Sequence, residues 1–327
     1  MAHFAGVDLG ATNVRAVVGD RSGEVLGSDR RPTPHESSGI QVTEAVLETL
    51  RAACRNADVE PQRIEAAGVG SIGPLDRTEG AVRNPANLPD TIDRVPLTGP
   101  IGNLVDGEVS LHNDANAGVL GERFYAGYNP DNMIYLTVST GIGAGVIVDG
   151  YLLSGWDGNA GEVGHLTLDP DGRMRCGCGR RGHWEAYCSG QNIPEYTELL
   201  HDGEETALPL GEAGFSAVDV FALAGEDPLA DQVLERVAAW NAQGVASLVH
   251  AYAPMVIYVG GGVALNNEEA IVGELRERVP SLVMTNVPDI QLSTLGDNVV
   301  VRGALASAIT GEGSPRGRSQ KTHSETD

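Results

Sequence analysis

Twice along this chain an apolar run enters a tight turn of small residues and leaves along a second apolar run. The first instance is HFAGVDLG, then Ala11-Thr12-Asn13, then VRAVVGD. The second is NMIYLTVST, then Gly141-Ile142-Gly143, then AGVIVDGYLL. A hairpin cannot bury its own apolar face, so each must recruit further elements. The sequence supplies them in the same order both times. After the first, Val42, Ala45, Val46, Thr49 and Leu50 share one face of a predicted helix, and EAAGVGSIGP reads as a buried strand. Between the two, EVSLHND reads as a strand and ANAGVLGERFYAG as a helix. After the second come helices at about 185–200 and 228–252, the strand MVIYVGGGVA, a helix at about 267–279, the strand IQLSTL and the short helix GALASAI. The expected class is α/β, with two duplicated α/β domains and a cleft between them. Residues 79–104, rich in Pro, Asn and Gly, read as a working loop rather than an element.

Charge and residue usage exclude several function classes. The formal net charge is −23, from 45 acidic and 22 basic residues. That field repels nucleic acid and anionic membrane surfaces, so neither is an expected partner. Of the basic residues only Lys321 is a lysine, and it lies in the polar stretch GEGSPRGRSQKTHSETD. A P-loop, a protein-kinase site and a Schiff-base site each need a lysine elsewhere, so all three are excluded. Heavy acidity with arginine in place of lysine resembles proteins of salt-loving organisms, in which salt screens self-repulsion. Four cysteines in 327 residues point to a reducing compartment rather than a disulfide framework. MAHFAGVDLG has no signal-peptide pattern and no apolar run reaches a membrane span, so a cytoplasmic protein is expected.

Three glycine turns at the ends of apolar strands carry the first chemical signal. Asp8, Gly10, Thr12 and Asn13 form one, with short donors for phosphate oxygens and a carboxylate for Mg²⁺ through water. Thr140, Gly141 and Gly143 form a second, a run of backbone N–H groups suited to an anion. Gly261 and Gly262 form the third, before a helix. One such turn is an ordinary hairpin; three without lysine point to a nucleoside triphosphate. Asn113-Asp114 follows a strand and opens a helix, where Asp114 serves as a cap, as a base for an attacking hydroxyl, or as both.

The stretch AGEVGHLTLDPDGRMRCGCGRRGHWEAYCSG is the most specific. His165, Cys176, Cys178 and His183 have the donor types of one tetrahedral zinc site. Cys188 competes with His183 as the fourth ligand; His183 is favoured because Trp184-Glu185 and a helix start follow it directly, while Cys188 lies further along that helix. Glu162 and Glu185 stand outside the set, free to meet a small molecule.

Together DLGATN, HNDANAG, VSTGIGAG and GEVGH…CGCGRRGHWEAYCSG resemble the ROK family of repressors, open reading frames and sugar kinases, within the actin/hexokinase-like (ribonuclease H-like) ATPase fold. The resemblance covers about residues 4–310. It implies ATP-dependent, Mg²⁺-assisted phosphorylation of a hexose at its 6-hydroxyl, glucose first, by homodimers or homotetramers. Asp114 matches the family's catalytic base. Asn87, Asn113, Glu162, His165 and Glu185 match its sugar-contacting positions. Asp8, Gly10, Thr12, Thr140 and Gly141 match its phosphate loops, and Gly261-Gly262 its adenosine loop. His165, Cys176 and Cys178 match ligands of a structural zinc, whose fourth ligand is normally cysteine where His183 stands here. N-acetylmannosamine, N-acetylglucosamine, allose or fructose are alternative substrates, and ADP or polyphosphate alternative donors. A sugar-sensing repressor lacking its DNA-binding domain is the remote reading, against which stand a phosphate loop starting at residue 8 and the negative charge. The expected domains are 1–113 with 303–315, then 114–302 carrying the zinc loop, with 316–327 a disordered tail.

Overall fold

The structure, a computed structural model, describes residues 2–35, 38–85, 88–89, 91–127, 129–156 and 158–311. The expected tail at 316–327 lies outside the described residues, as does Asn87. The chain forms two compact units. Unit 1 comprises residues 1–124, 147–152 and the chain from Val300 onward; unit 2 comprises 125–146 and 153–299.

Unit 1 is built on a five-stranded sheet of β1 (His3–Leu9), β2 (Asn13–Gly19), β3 (Val25–Pro32), β4 (Ile64–Ser71) and β8 (Glu108–Asn113), in the order β3-β2-β1-β4-β8. The hairpin strands pair antiparallel, and β4 and β8 continue in parallel. β1 is apolar nearly throughout because it is central, whereas β3 at the edge alternates half-buried with exposed. Helix α1 (Gly39–Asn56) lays Val42, Val46, Leu50 and Ala53 into one core with Val7, Val14 and Val69. Cys54 is buried in that core. Helix α10 (Val299–Thr310) meets the sheet backbone to backbone. A Cβ on Gly6 would stand 2.5 Å from the Val301 carbonyl oxygen, and one on Gly68 would stand 2.0 Å from that of Ala304.

Residues 79–104 are not the loop expected. They carry β6 (Ala81–Arg83), β7 (Arg94–Pro96) and α2 (Thr98–Leu104), and with β5 (Leu75–Asp76) make a small sheet in the order β5-β6-β7. Val82, Leu88, Ile92, Val95, Leu97 and Ile101 sink into the core of α1, and that burial outweighs the turn-rich composition. Helix α3 (Asp114–Tyr125) lies in unit 1 as far as Phe124. The reason is packing: a Cβ on Gly303 of α10 would lie 1.7 Å from the Ala117 carbonyl oxygen of α3.

The second sheet repeats the first. β9 (Met133–Val138), β10 (Ile142–Val148), β11 (Tyr151–Leu152), β12 (Val256–Gly260) and β13 (Asp289–Leu292) run in the order β11-β10-β9-β12-β13, with β12 parallel to β9 and β13. Two hairpin-led sheets of the same strand order are the duplication that the two glycine turns announced. In unit 2 the expected helix at about 185–200 is broken into α4 (Glu185–Cys188) and α5 (Ile193–Leu200). Helix α6 (Ala217–Ala222) and the long α7 (Pro228–Tyr252) follow; the Asp227 carboxylate caps α7 by accepting from the Leu229 and Ala230 N–H groups. The helix expected at about 267–279 is α8 (Gly262–Asn266), a π-helical turn at Glu269–Gly273, and α9 (Glu274–Leu282).

Candidate active site and metal centre

In unit 1 the β1–β2 turn is closed by the Gly10 N–H donating to the Asn13 carbonyl at 3.0 Å. Thr33, just past β3, clamps it, its hydroxyl donating to the Gly10 carbonyl at 2.7 Å and its N–H to the Thr12 carbonyl at 2.9 Å. The Asn13 side chain accepts from Arg30 Nε at 3.0 Å, and Thr12 stands exposed at the tip. Asp8 lies one residue before the end of β1, opposite Arg15 of β2. Lost hydration pushes its carboxyl up to about 7; Arg15 opposes that rise and the charge of Asp114 adds to it.

Asp114 opens α3 directly after β8. The helix cap is Asn113, whose side-chain oxygen accepts the Asn116 N–H at 2.7 Å. The Asp114 carboxylate accepts the adjacent Ala115 N–H at 2.8 Å and the N–H of its own residue. The residue is exposed, yet protein crowds the carboxyl, and lost hydration raises its pKa against the pull of the Ala115 N–H. A carboxylate that holds a proton this readily can take one from a substrate hydroxyl.

In unit 2 the Ser139–Gly141 turn is braced from two sides. The Gly190 N–H donates to the Ser139 carbonyl at 2.7 Å, and the Gly262 N–H to the Ser139 hydroxyl at 3.3 Å. Gly261 adopts φ +88°, and a Cβ there would stand 2.5 Å from the Val138 carbonyl oxygen. So Thr140, Gly141, Gly261 and Gly262 come together, while Gly143 falls inside β10, past the turn. The turn also meets Glu185, whose Oε2 accepts the Ile142 N–H at 2.9 Å.

The metal-like stretch folds back on itself. The N–H of Trp184 donates to the carbonyl of Leu166, Leu168 N–H to Gly182, Gly182 N–H to Met174, and Cys176 N–H to Arg180, at 2.8–3.0 Å. Those rungs bring one ligand atom each from His165, Cys176, Cys178 and His183 within 4.8 Å of one another. Cys176 Sγ lies 3.6 Å from His165 Nδ1, and Cys178 Sγ lies 3.3 Å from His183 Nδ1. A tetrahedral zinc with two thiolates and two imidazoles has sulfur–nitrogen edges of about 3.5 Å, so the set fits that ion. Cys188 is buried elsewhere, with its thiol toward the Val237 carbonyl at 3.6 Å. Burial, with the charges of His165 and Arg180, lowers the pKa of His183, leaving the neutral imidazole that a metal needs. Burial foremost pushes Cys176 up to about 12, so its proton leaves only when a cation takes the charge.

The other ring nitrogen of His165, Nε2, faces Glu162 Oε2 at 3.8 Å. His165 thus points one nitrogen at the ligand set and the other at an exposed carboxylate. Glu185 also borders the ligand set, its Oε1 3.6 Å from Cys176 Sγ. Sequence reasoning missed Asp169, a nearly fully buried carboxylate that accepts the Tyr187 hydroxyl at 2.5 Å and the Arg173 N–H and Nε–H at 3.1 Å each. Its only sequence signal is the turn-forming Asp-Pro-Asp-Gly that it begins.

The sequence model of the ROK family matches residues 4–310. A glucokinase of Pyrobaculum calidifontis is 37% identical over 313 residues, covering 94% of this chain and 95% of that protein. A ROK hexokinase from Thermus thermophilus superposes with a TM-score of 0.80 at 35% identity, covering 94% and 98% of the two chains. A ROK family glucokinase from Streptomyces griseus, solved with glucose and AMPPNP, superposes with a TM-score of 0.74 at 29% identity, covering 95% and 100%.

Proposed function

Because the chain belongs to the ROK family, with the actin/hexokinase-like fold of its kinases, we propose that it phosphorylates glucose at the 6-hydroxyl with ATP. The observation that carries this reading is the placement of Asp114, a carboxylate that opens α3 directly after β8, on the same unit as the Gly10 turn. In the proposed reaction Asp114 accepts the proton of the 6-hydroxyl as its oxygen attacks the γ-phosphoryl, and ADP leaves. Asn87, Asn113, Glu162, His165 and Glu185 hold the sugar's other hydroxyls. The turn at Gly10, Thr12 and Asn13 and the turn at Thr140 and Gly141 offer N–H and hydroxyl donors to the phosphates, and Gly261-Gly262 give the adenosine a surface without side chains. Asp8 is suited to hold Mg²⁺ through water, and the ion would neutralise phosphate charge. Zinc, held by His165, Cys176, Cys178 and His183, would supply rigidity rather than an activated water. We also read the protein as cytoplasmic and homo-oligomeric, with a salt optimum set by its 45 acidic residues. Among the described residues no helix is long and apolar enough to cross a membrane.

A coupled ADP-release assay over glucose, N-acetylmannosamine, N-acetylglucosamine, allose and fructose, at low and molar salt, tests this. Glucose should give the highest kcat/KM, with phosphate on the 6-oxygen. Turnover confined to another sugar would replace the substrate, and no ADP release with any of them would remove the kinase.

A further inference from the structure

Three of the four metal ligands, Cys176, Cys178 and His183, hang on a frame that holds itself together. Its two arms are the run into Cys176 and Cys178, and the run from His183 into α4. Asp169 sits where they cross. Its carboxylate is only 3% exposed. On the first arm it accepts the Asp171 N–H, the Arg173 N–H and Arg173 Nε–H, each at 3.1 Å. On the second it accepts the hydroxyl of Tyr187, a residue of α4, at 2.5 Å. That hydroxyl in turn accepts the Met174 N–H at 3.0 Å, two residues before Cys176. The backbone closes the same crossing: the Asp169 N–H donates to the Gly182 carbonyl and the Gly182 N–H to the Met174 carbonyl, both at 3.0 Å. Gly182 sits at φ +76°, where a Cβ would stand 2.0 Å from the Asp169 carbonyl oxygen, so the arms touch as closely as backbones can. None of these bonds uses the side-chain ligand atoms of His165, Cys176, Cys178 or His183.

We propose that Asp169 is a positioning residue of the metal centre, fixing the Cys176–Cys178 arm against the His183–Glu185 arm so that Cys176, Cys178 and His183 stand in register before the ion arrives. The inference rests on the zinc reading above but not on the sugar. Carboxylates outside a ligand set do this elsewhere by orienting ligands, and their loss costs about 10–100-fold in metal affinity. Here the carboxylate acts through backbone and Tyr187 rather than on a ligand ring. Arg173 and Tyr187 together supply the charge and the hydroxyl that keep it satisfied in a buried place.

The test measures zinc affinity by competition with a chromophoric chelator, and amide exchange in chelated protein. Metal-free wild type should keep the Met174, Cys176 and Gly182 amides protected. Asp169→Asn should bind zinc about 10–100-fold more weakly and lose that protection. Tyr187→Phe, which keeps the Arg173 bonds, should fall by less, about tenfold or under. Raising free zinc should restore wild-type glucose turnover to Asp169→Asn, which a merely misfolded variant would not show. Wild-type zinc affinity in both variants, or unprotected amides in the metal-free wild type, would overturn the proposal. If Asp169→Asn does not fold, Tyr187→Phe and the wild-type exchange pattern still decide. A wild type that phosphorylates no sugar would remove the proposed function and leave the zinc and exchange readouts intact.

Discussion

Asp8 and Asp114 in unit 1 and Asp169 in unit 2 are the same side chain under opposite conditions. Burial alone would raise all three. For Asp169 the Tyr187 hydroxyl and the Arg173 donors outweigh it and hold the pKa below the ordinary value. Asp8 gets partial relief from Arg15, and Asp114 gets it from two backbone N–H groups, those of Ala115 and of Asp114 itself, so both stay raised. The first arrangement stores an unmet need for a proton or a cation; the second stores none. Carboxylates left in deficit mark where chemistry is proposed, and the satisfied one marks where shape is kept.

The sharpest way to break this contrast is Asp114→Asn. It should lower kcat by at least ~10³-fold while calorimetry still shows sugar binding, since only the base is lost. Near-normal turnover would return Asp114 to the role of a helix-start residue. On the unit 2 side, elemental analysis should find about one zinc per chain in wild type and in Cys188→Ala, and little in His183→Ala. Zinc kept in His183→Ala and lost in Cys188→Ala would reverse the ligand choice. The smallest effect is on stability. Asp8 binds its proton more tightly folded, at about 7, than an ordinary aspartate does, so the folded state loses ground as pH rises from the ordinary carboxylate range through about 7. Asp8→Asn should remove that slope from nucleotide-free melting curves and raise Tm at pH 8. Asp169 has the reverse sign: its stabilisation is present above the ordinary value and fades as pH falls below it, so Asp169→Asn should flatten only the acid limb. Equal slopes in both variants would erase the distinction between the two regions.

What could be read without coordinates follows from distance along the chain. The turn at Gly10 and the ligand set His165 to His183 span few residues, so residue type and spacing carry them. The repeated strand order was legible for a similar reason, because each hairpin carries its own apolar pattern. Residues 79–104 were misread since their Pro, Asn and Gly spoke for loop while Leu88, Ile92 and Leu97 took their burial from α1, far away in sequence. Asp169 was invisible because its meaning lies in Tyr187, which from sequence reads only as a helix residue after Glu185. The place of α3 in unit 1 was hidden likewise, since it depends on Gly303 meeting Ala117 across more than half the chain.

The glycine-lined seat of α10 has a consequence for synthesis. Unit 1 starts at the first strand, but the face bearing Gly6 and Gly68 receives Val301, Ala304 and Leu305 only after all of unit 2 has been made. On the ribosome the half begun first is therefore completed last, and its open sheet face waits as an exposed apolar surface during translation of the second half.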